Sequence, residues 1–149
     1  MISLRNEPDT PEAPPCFDQL TELTTRIFSQ SGWLANKMGM EHRPQQADMA
    51  DAVAQHLLED SPLLFEAGTG VGKSLAYLLP GIILAIENRR PFIVASHTIS
   101  LQEQVLSKDI PLCAELFSCV PELEKYKDFQ TALLVGKSNY LCPNRLAAA

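Results

Sequence analysis

The chain has 149 residues, about the size of one ordinary domain, and it is long enough to bury a hydrophobic core. Apolar residues make up 46% of the sequence and charged residues 20%, a balance that excludes an intrinsically disordered protein. The formal net charge of −6 argues mildly against a nucleic-acid partner, although a local basic groove can lie on an acidic protein.

The sequence predicts neither a secretory signal nor a membrane span. Its first residues lack a basic segment followed by an apolar one. The longest apolar run, LAYLLPGIILAI, is too short to cross a bilayer and contains Pro80 and Gly81. We therefore expect a cytoplasmic protein that makes no contact with a membrane.

The first third of the chain predicts a flexible start followed by helices. Residues 1–17 are rich in proline and are expected to be an extended, flexible segment without a core. Residues 18–38 have the apolar spacing of one or two short amphipathic helices. Residues 44–58 predict a clearer helix, because Pro44 suits the first helical position and an apolar stripe follows it.

Three short apolar runs are typical of buried β-strands: residues 63–65, 92–95 and 131–136. Helical patterns separate these runs, so that strand and helix alternate along the chain. Such an order is typical of a parallel sheet with right-handed crossovers. The sequence therefore predicts an α/β fold in which helices flank a parallel sheet.

Two helices are predicted between these runs. The first, residues 73–86, has apolar residues on nearly all of its faces and should be buried on more than one side. Pro80 lies well inside it without a backbone N–H, so we expect a kink or an early end there. Ser100 and Glu103 have the spacing of a capping box, which predicts that the second helix starts at Leu101.

The stretch AGTGVGKS fits a phosphate-binding loop of the Walker A type with one substitution at its first position. Its three glycines let backbone N–H groups approach an anion, Lys73 adds a positive charge, and Ser74 offers a hydroxyl to Mg²⁺. The alternative is a glycine-rich turn with an incidental lysine. The apolar run before the loop and the helix after it favour nucleotide binding. The candidate residues are Ala67, Gly68, Thr69, Gly70, Val71, Gly72, Lys73 and Ser74, of which Lys73 and Ser74 would be catalytic.

Four stretches resemble one family, the DinG-like and XPD-like DNA helicases of superfamily 2, many of which carry an iron–sulfur cluster. In chain order they are EHRPQQADM, FEAGTGVGKSLAYLLP, ASHTISLQEQ and LLVGKSNYLC. Ala67 is usual in superfamily-2 loops, whereas the family more often has threonine at the position of Val71. The resemblance implies a RecA-like P-loop NTPase fold and an ATP-dependent helicase that unwinds DNA with 5′→3′ polarity. ATP and Mg²⁺ would be its cofactors, and single-stranded or duplex DNA its partner.

The resemblance also implies roles for residues outside the loop. The R-x-x-Q element of these helicases recognises adenine and corresponds here to Arg43 and Gln46, which by themselves would indicate only a polar helix start. The stretch SHTISLQ resembles motif Ia, which contacts the backbone of single-stranded DNA. Hydroxyl groups at such a position can equally well cap a helix. The implied DNA-contacting residues are Ser96, His97, Thr98 and Gln102.

The spacing of the four cysteines matches no zinc-binding pattern and no C-x-x-C pair, so Cys16, Cys113 and Cys119 are expected to be isolated thiols. The stretch GKSNYLC resembles the segment that supplies the first of four ligands to a [4Fe–4S] cluster, which implies this role for Cys142. Three further thiolates would be needed, and the other cysteines do not match the family's positions. We therefore expect such a cluster only in a longer parent protein.

ATP hydrolysis also needs an acid that holds magnesium, and no apolar run ending in Asp-Glu follows Ser74. We therefore interpret residues 18–149 as the N-terminal part of the first motor domain of a helicase, able to bind nucleotide or DNA but not to turn over ATP alone. Two alternatives stay open: a small P-loop kinase or phosphotransferase, and a non-catalytic interaction module that retains a vestigial loop.

Overall fold

The structure is a computed structural model that describes residues 17–136 and 139–140. The described residues form two compact units, one ending at Phe92 and one beginning at Ile93. Apart from Phe17, the predicted flexible start lies outside the described residues, and so do Cys16 and Cys142.

Among its described residues, the first unit contains four α-helices. They are α1 (Phe17–Phe28), α2 (Trp33–Met38), α3 (Pro44–Leu58) and α4 (Lys73–Glu87). The region that was predicted to form one or two helices, residues 18–38, therefore contains two. Gly32 lies at the break between them, since a Cβ atom there would come within 2.6 Å of the carbonyl oxygens of Arg26 and Ile27.

Helix α4 forms the centre of the first unit. Its buried side chains include Leu78, Leu79 and Ile83, and both α1 and α3 pack against it. The helix continues through Pro80 to Glu87, so the predicted alternative of an early end is wrong. A proline removes one intrahelical hydrogen bond, and burial of the surrounding apolar side chains outweighs that loss.

Among its described residues, the second unit is also helical. It contains α5 (Ile99–Gln104), a π-helical turn (Val105–Asp109), α6 (Ile110–Cys119) and a 3₁₀ helix (Pro121–Tyr126). Helix α5 begins at Ile99 and not at the predicted Leu101, because the hydroxyl of Thr98 accepts a hydrogen bond from the Leu101 N–H. The wide π turn ends directly before α6, whose second residue is Pro111, and the ring and missing N–H of this proline disfavour a regular α-helical turn before it.

Aromatic side chains form the core of the second unit. The Phe117 ring lies 5.9 Å from that of Tyr126 and 6.0 Å from that of Phe129, measured between centroids. Leu116 and Leu123 are buried beside them. These contacts hold α6 against the 3₁₀ helix, so burial of apolar surface stabilises this short arrangement.

The predicted α/β fold is wrong, because the residues that the structure describes contain helices and no β-strand. The three predicted strands, residues 63–65, 92–95 and 131–136, have no ladder of paired strands beside them. Their apolar side chains are largely exposed: 99% for Leu64, 81% for Ile93 and 82% for Leu134. A short apolar run indicates only that a segment suits burial, whereas a strand forms only when a neighbouring strand pairs with it. None of the described helices is long and apolar enough to cross a membrane.

Close packing between Gly81 and Phe92 leads to a first prediction. A Cβ atom at Gly81 would clash with the Phe92 ring. Overpacking of this kind costs about 1–3 kcal/mol, whereas alanine favours a helix over glycine by about 1 kcal/mol. We therefore expect Gly81→Ala to lower the melting temperature in circular dichroism. In a Phe92→Ala background the same substitution should raise it, and equal effects in both backgrounds would contradict this packing.

The contact between α1 and α3 leads to a prediction about pH. The hydroxyl of Thr25 donates to the Asp51 carboxylate at 3.2 Å. Burial raises the pKa of Asp51; the hydrogen bond from Thr25 opposes this shift, and the neighbouring charge of Asp48 adds to it. A raised pKa in the folded state means that the folded chain holds this proton more tightly. The contribution to stability is therefore complete at pH values below about 4, the ordinary aspartate pKa, and is lost as the pH rises through the folded-state pKa.

Asp51→Asn keeps an oxygen that can accept from Thr25 and removes the charge. We expect the variant to melt at a higher temperature than the unmodified chain at pH 7, with the difference shrinking towards pH 4. Asp128→Asn, at an exposed position in the second unit, serves as the control and should leave the pH dependence unchanged. A constant difference between pH 4 and pH 7 would show that the Asp51 charge has no such effect.

Candidate nucleotide-binding site

The loop before α4 makes a tight turn directly into the helix. Gly70 and Gly72 have φ angles of 80° and 85°, in the left-handed region that residues with a Cβ atom adopt only with strain. Gly72 is also the N-cap residue of α4 and has no side chain to accept hydrogen bonds from the first turn. The first N–H groups of α4, like those of any helix, have no intrahelical partner, and here no N-cap side chain replaces one. Together with the helix dipole they attract an anion.

The side chain of Lys73 folds back over this loop. Its Nζ atom donates to the carbonyl oxygens of Ala67 at 3.0 Å and Gly68 at 2.6 Å. The ammonium charge therefore lies beside the loop backbone and the amino end of α4. Ser74 follows on the first turn and is half-buried, and Thr69 is exposed in the loop.

Two side chains from the beginning of α3 hold the carbonyl oxygens of the loop. Arg43 Nη1 donates to the carbonyl of Gly70, and Gln46 Nε2 donates to that of Gly72 at 2.8 Å. Sequence reasoning assigned both residues to adenine and did not anticipate these backbone contacts. The three-residue spacing places Arg43 and Gln46 close together at the start of α3, but nothing in the sequence indicates which part of the chain this end of the helix meets.

The residues of the predicted DNA-contacting segment cluster at the amino end of α5. The hydroxyl of Thr98 accepts from the Leu101 N–H at 3.3 Å and so caps the helix, while His97 is exposed. Ser96 Oγ lies 3.5 Å from the Thr98 carbonyl oxygen, a long hydrogen bond. Within the described part of the chain, Gln102 Oε1 is buried and accepts no hydrogen bond. This buried acceptor is a feature that sequence reasoning could not have detected.

The described residues do not fit an iron–sulfur cluster. Cys113 is buried, and burial, followed by the charge of Asp109, raises the pKa of its thiol to about 12, so that a thiolate is disfavoured. Cys119 is free and exposed. Among the described residues no three His, Cys, Asp or Glu side chains are grouped so as to hold a metal ion. The predicted ligand Cys142 lies outside the described residues, whereas the Ser74 hydroxyl is of a type that suits Mg²⁺.

The chain is similar in sequence to several known proteins. The ATP-dependent helicase DinG of Mycobacterium tuberculosis is 42% identical over 110 residues, which is 73% of this chain and 16% of that protein. The ATP-dependent DNA helicase DinG of Salmonella typhimurium is 41% identical over 107 residues, 70% of this chain and 14% of the relative. The ATP-dependent DNA helicase YoaA of Escherichia coli is 38% identical over 123 residues, 82% of this chain and 18% of the relative.

No protein-family profile and no solved structure matches the chain significantly. The chain spans less than a fifth of the length of the relatives described above. The matched segments cover 70% to 82% of this chain. The predicted resemblance is therefore confirmed: the chain is homologous to a segment of the DinG-like ATP-dependent DNA helicases.

Proposed function

We propose that the chain binds ATP with Mg²⁺ at residues 67–74 and forms part of an ATP-dependent DNA helicase. The observation that carries this proposal is the Lys73 ammonium, which donates to the carbonyl oxygens of Ala67 and Gly68 in the loop that leads into α4. A polyphosphate concentrates negative charge in a small volume, and here a cation and a helix dipole attract it together. The names of the relatives favour ATP among the possible nucleotides.

In the proposed complex Lys73 exchanges the carbonyl oxygens of Ala67 and Gly68 for oxygens of the β- and γ-phosphates. The N–H groups of the first turn of α4 donate to the same phosphates. Ser74 presents its hydroxyl for magnesium, which would neutralise charge between the two phosphates. Arg43 and Gln46 belong to the nucleotide site, where the resemblance assigns them to adenine.

We further propose that Ser96, His97, Thr98 and Gln102 contact single-stranded DNA. A buried acceptor without a partner, such as Gln102 Oε1, costs free energy and calls for an explanation. An N–H group of a base in a bound strand would give Gln102 Oε1 the donor that it lacks. In the whole protein residues 18–149 would be the first part of the first motor domain, and unwinding would proceed 5′→3′.

Substitution of Lys73 tests the nucleotide site. A charge-assisted hydrogen bond is worth about 1.5–3 kcal/mol, so we expect Lys73→Ala to weaken Mg·ATP binding by about 10- to 100-fold in isothermal titration calorimetry. Lys37→Ala, which removes an exposed lysine from α2, is the matched control and should bind ATP normally. Equal affinities for the two variants would refute the proposed site.

Substitution of Gln102 tests the DNA site. We expect Gln102→Ala to weaken binding of a fluorescent single-stranded oligonucleotide by about 3- to 10-fold, because one hydrogen bond contributes about 1 kcal/mol. The control is Gln104→Ala, which removes an exposed glutamine from the same helix. If the two variants bind the oligonucleotide with the same affinity, Gln102 has no part in DNA binding. Melting curves of both variants exclude unfolding as the cause.

A further inference from the structure

We infer that Gln46 is a positioning residue for the phosphate loop and promotes binding of the triphosphate itself, whatever base is attached. This inference rests on the proposed function of residues 67–74. Gln46 is only 8% exposed, although it lies on the first turn of α3. Burial of an amide is costly unless it is hydrogen-bonded, and its Nε2 atom donates to the Gly72 carbonyl at 2.8 Å. In this structure the amide group is therefore bonded to the loop.

The contact between Gln46 and Gly72 lies where it restricts the conformation of the loop. Gly72 is the residue at which the left-handed turn ends and α4 begins. A Cβ atom at Gly72 would clash with the amide nitrogen of Gln46, so the glutamine packs directly against this Cα atom. The hydrogen bond and the packing restrict the same residue. They hold the loop in the turn that aims the first N–H groups of α4 at an anion.

Arg43 is less suited to this role. It donates to the Gly70 carbonyl, but its side chain is about half exposed and also lies 3.9 Å from the Glu41 carboxylate. An exposed side chain that also forms an ion pair with a second residue restrains the backbone weakly. Gln46 is the more buried of the two, and no second partner competes for its amide group among the contacts that the structure describes.

The experiment separates a contact with the loop from a contact with the base. Gln46→Met keeps the size and shape of the side chain and removes the donor. Binding is measured for ATP and for inorganic tripolyphosphate, which has no base. We expect both ligands to bind about 3- to 10-fold more weakly, since one hydrogen bond that orders the loop is lost. A loss of ATP affinity with unchanged tripolyphosphate affinity would assign Gln46 to adenine and overturn the inference.

Hydrogen–deuterium exchange of the chain without added ligand provides a second readout. Gln46→Met should speed exchange in residues 68–74 while α1 and the second unit keep their rates, because only the restraint on the loop is lost. Unchanged exchange in the loop would overturn the inference. If the loop exchanges faster but the unmodified chain binds neither ligand, the positioning of the loop is supported and the proposed ATP site fails.

The matched control is Gln45→Met, at an exposed position beside Gln46 on the same helix. It should change neither affinity nor exchange. Melting temperatures of both variants show whether α3 stays packed against α4. A general loss of structure would appear as faster exchange throughout the first unit, and that result would also count against a specific action on the loop.

Discussion

Helix α4 carries apolar side chains around most of its circumference, so water must be excluded from it on several sides. Helices α1 and α3 supply this cover, and buried alanines at positions 50 and 54 of α3 leave room for close approach. Each buried leucine or isoleucine contributes about 1.5–3 kcal/mol relative to an exposed one. The arrangement of the first unit depends on this burial, because the polar contacts of the loop are too few to hold the helices together.

The candidate site is a consequence of that packing. Once α3 lies against α4, its amino end meets the turn that precedes α4, and Arg43 and Gln46 can reach the loop carbonyls. A turn made largely of glycine, such as the one before α4, has high conformational freedom in isolation. Contacts from a neighbouring helix reduce that freedom before any ligand arrives, so less entropy is lost on binding. The apolar core thus positions the polar side chains of the candidate site at its edge.

The incorrect prediction of an α/β fold has a physical cause. The runs at 63–65, 92–95 and 131–136 are short and apolar, and such a pattern indicates only that a segment suits burial. Helices close their hydrogen bonds within one segment, whereas a strand depends on a partner that is distant in sequence. Within the described residues these segments have no such partner, and side chains such as Leu64 and Leu134 are exposed. For this reason the sequence pattern predicted the helices of the first unit but wrongly predicted the strands.

The sequence alone determined the bounds of α3 and α4 to within a residue, because a proline at Pro44 and the glycine turn before Lys73 act on the chain locally. It also predicts a phosphate-binding loop, since the spacing of small residues, lysine and serine suits the shape and charge of a polyphosphate. Only the tertiary structure decided what Gln46 contacts. Gln46 and Gly72 are 26 residues apart, and no local pattern encodes a hydrogen bond that exists only after two helices have packed together.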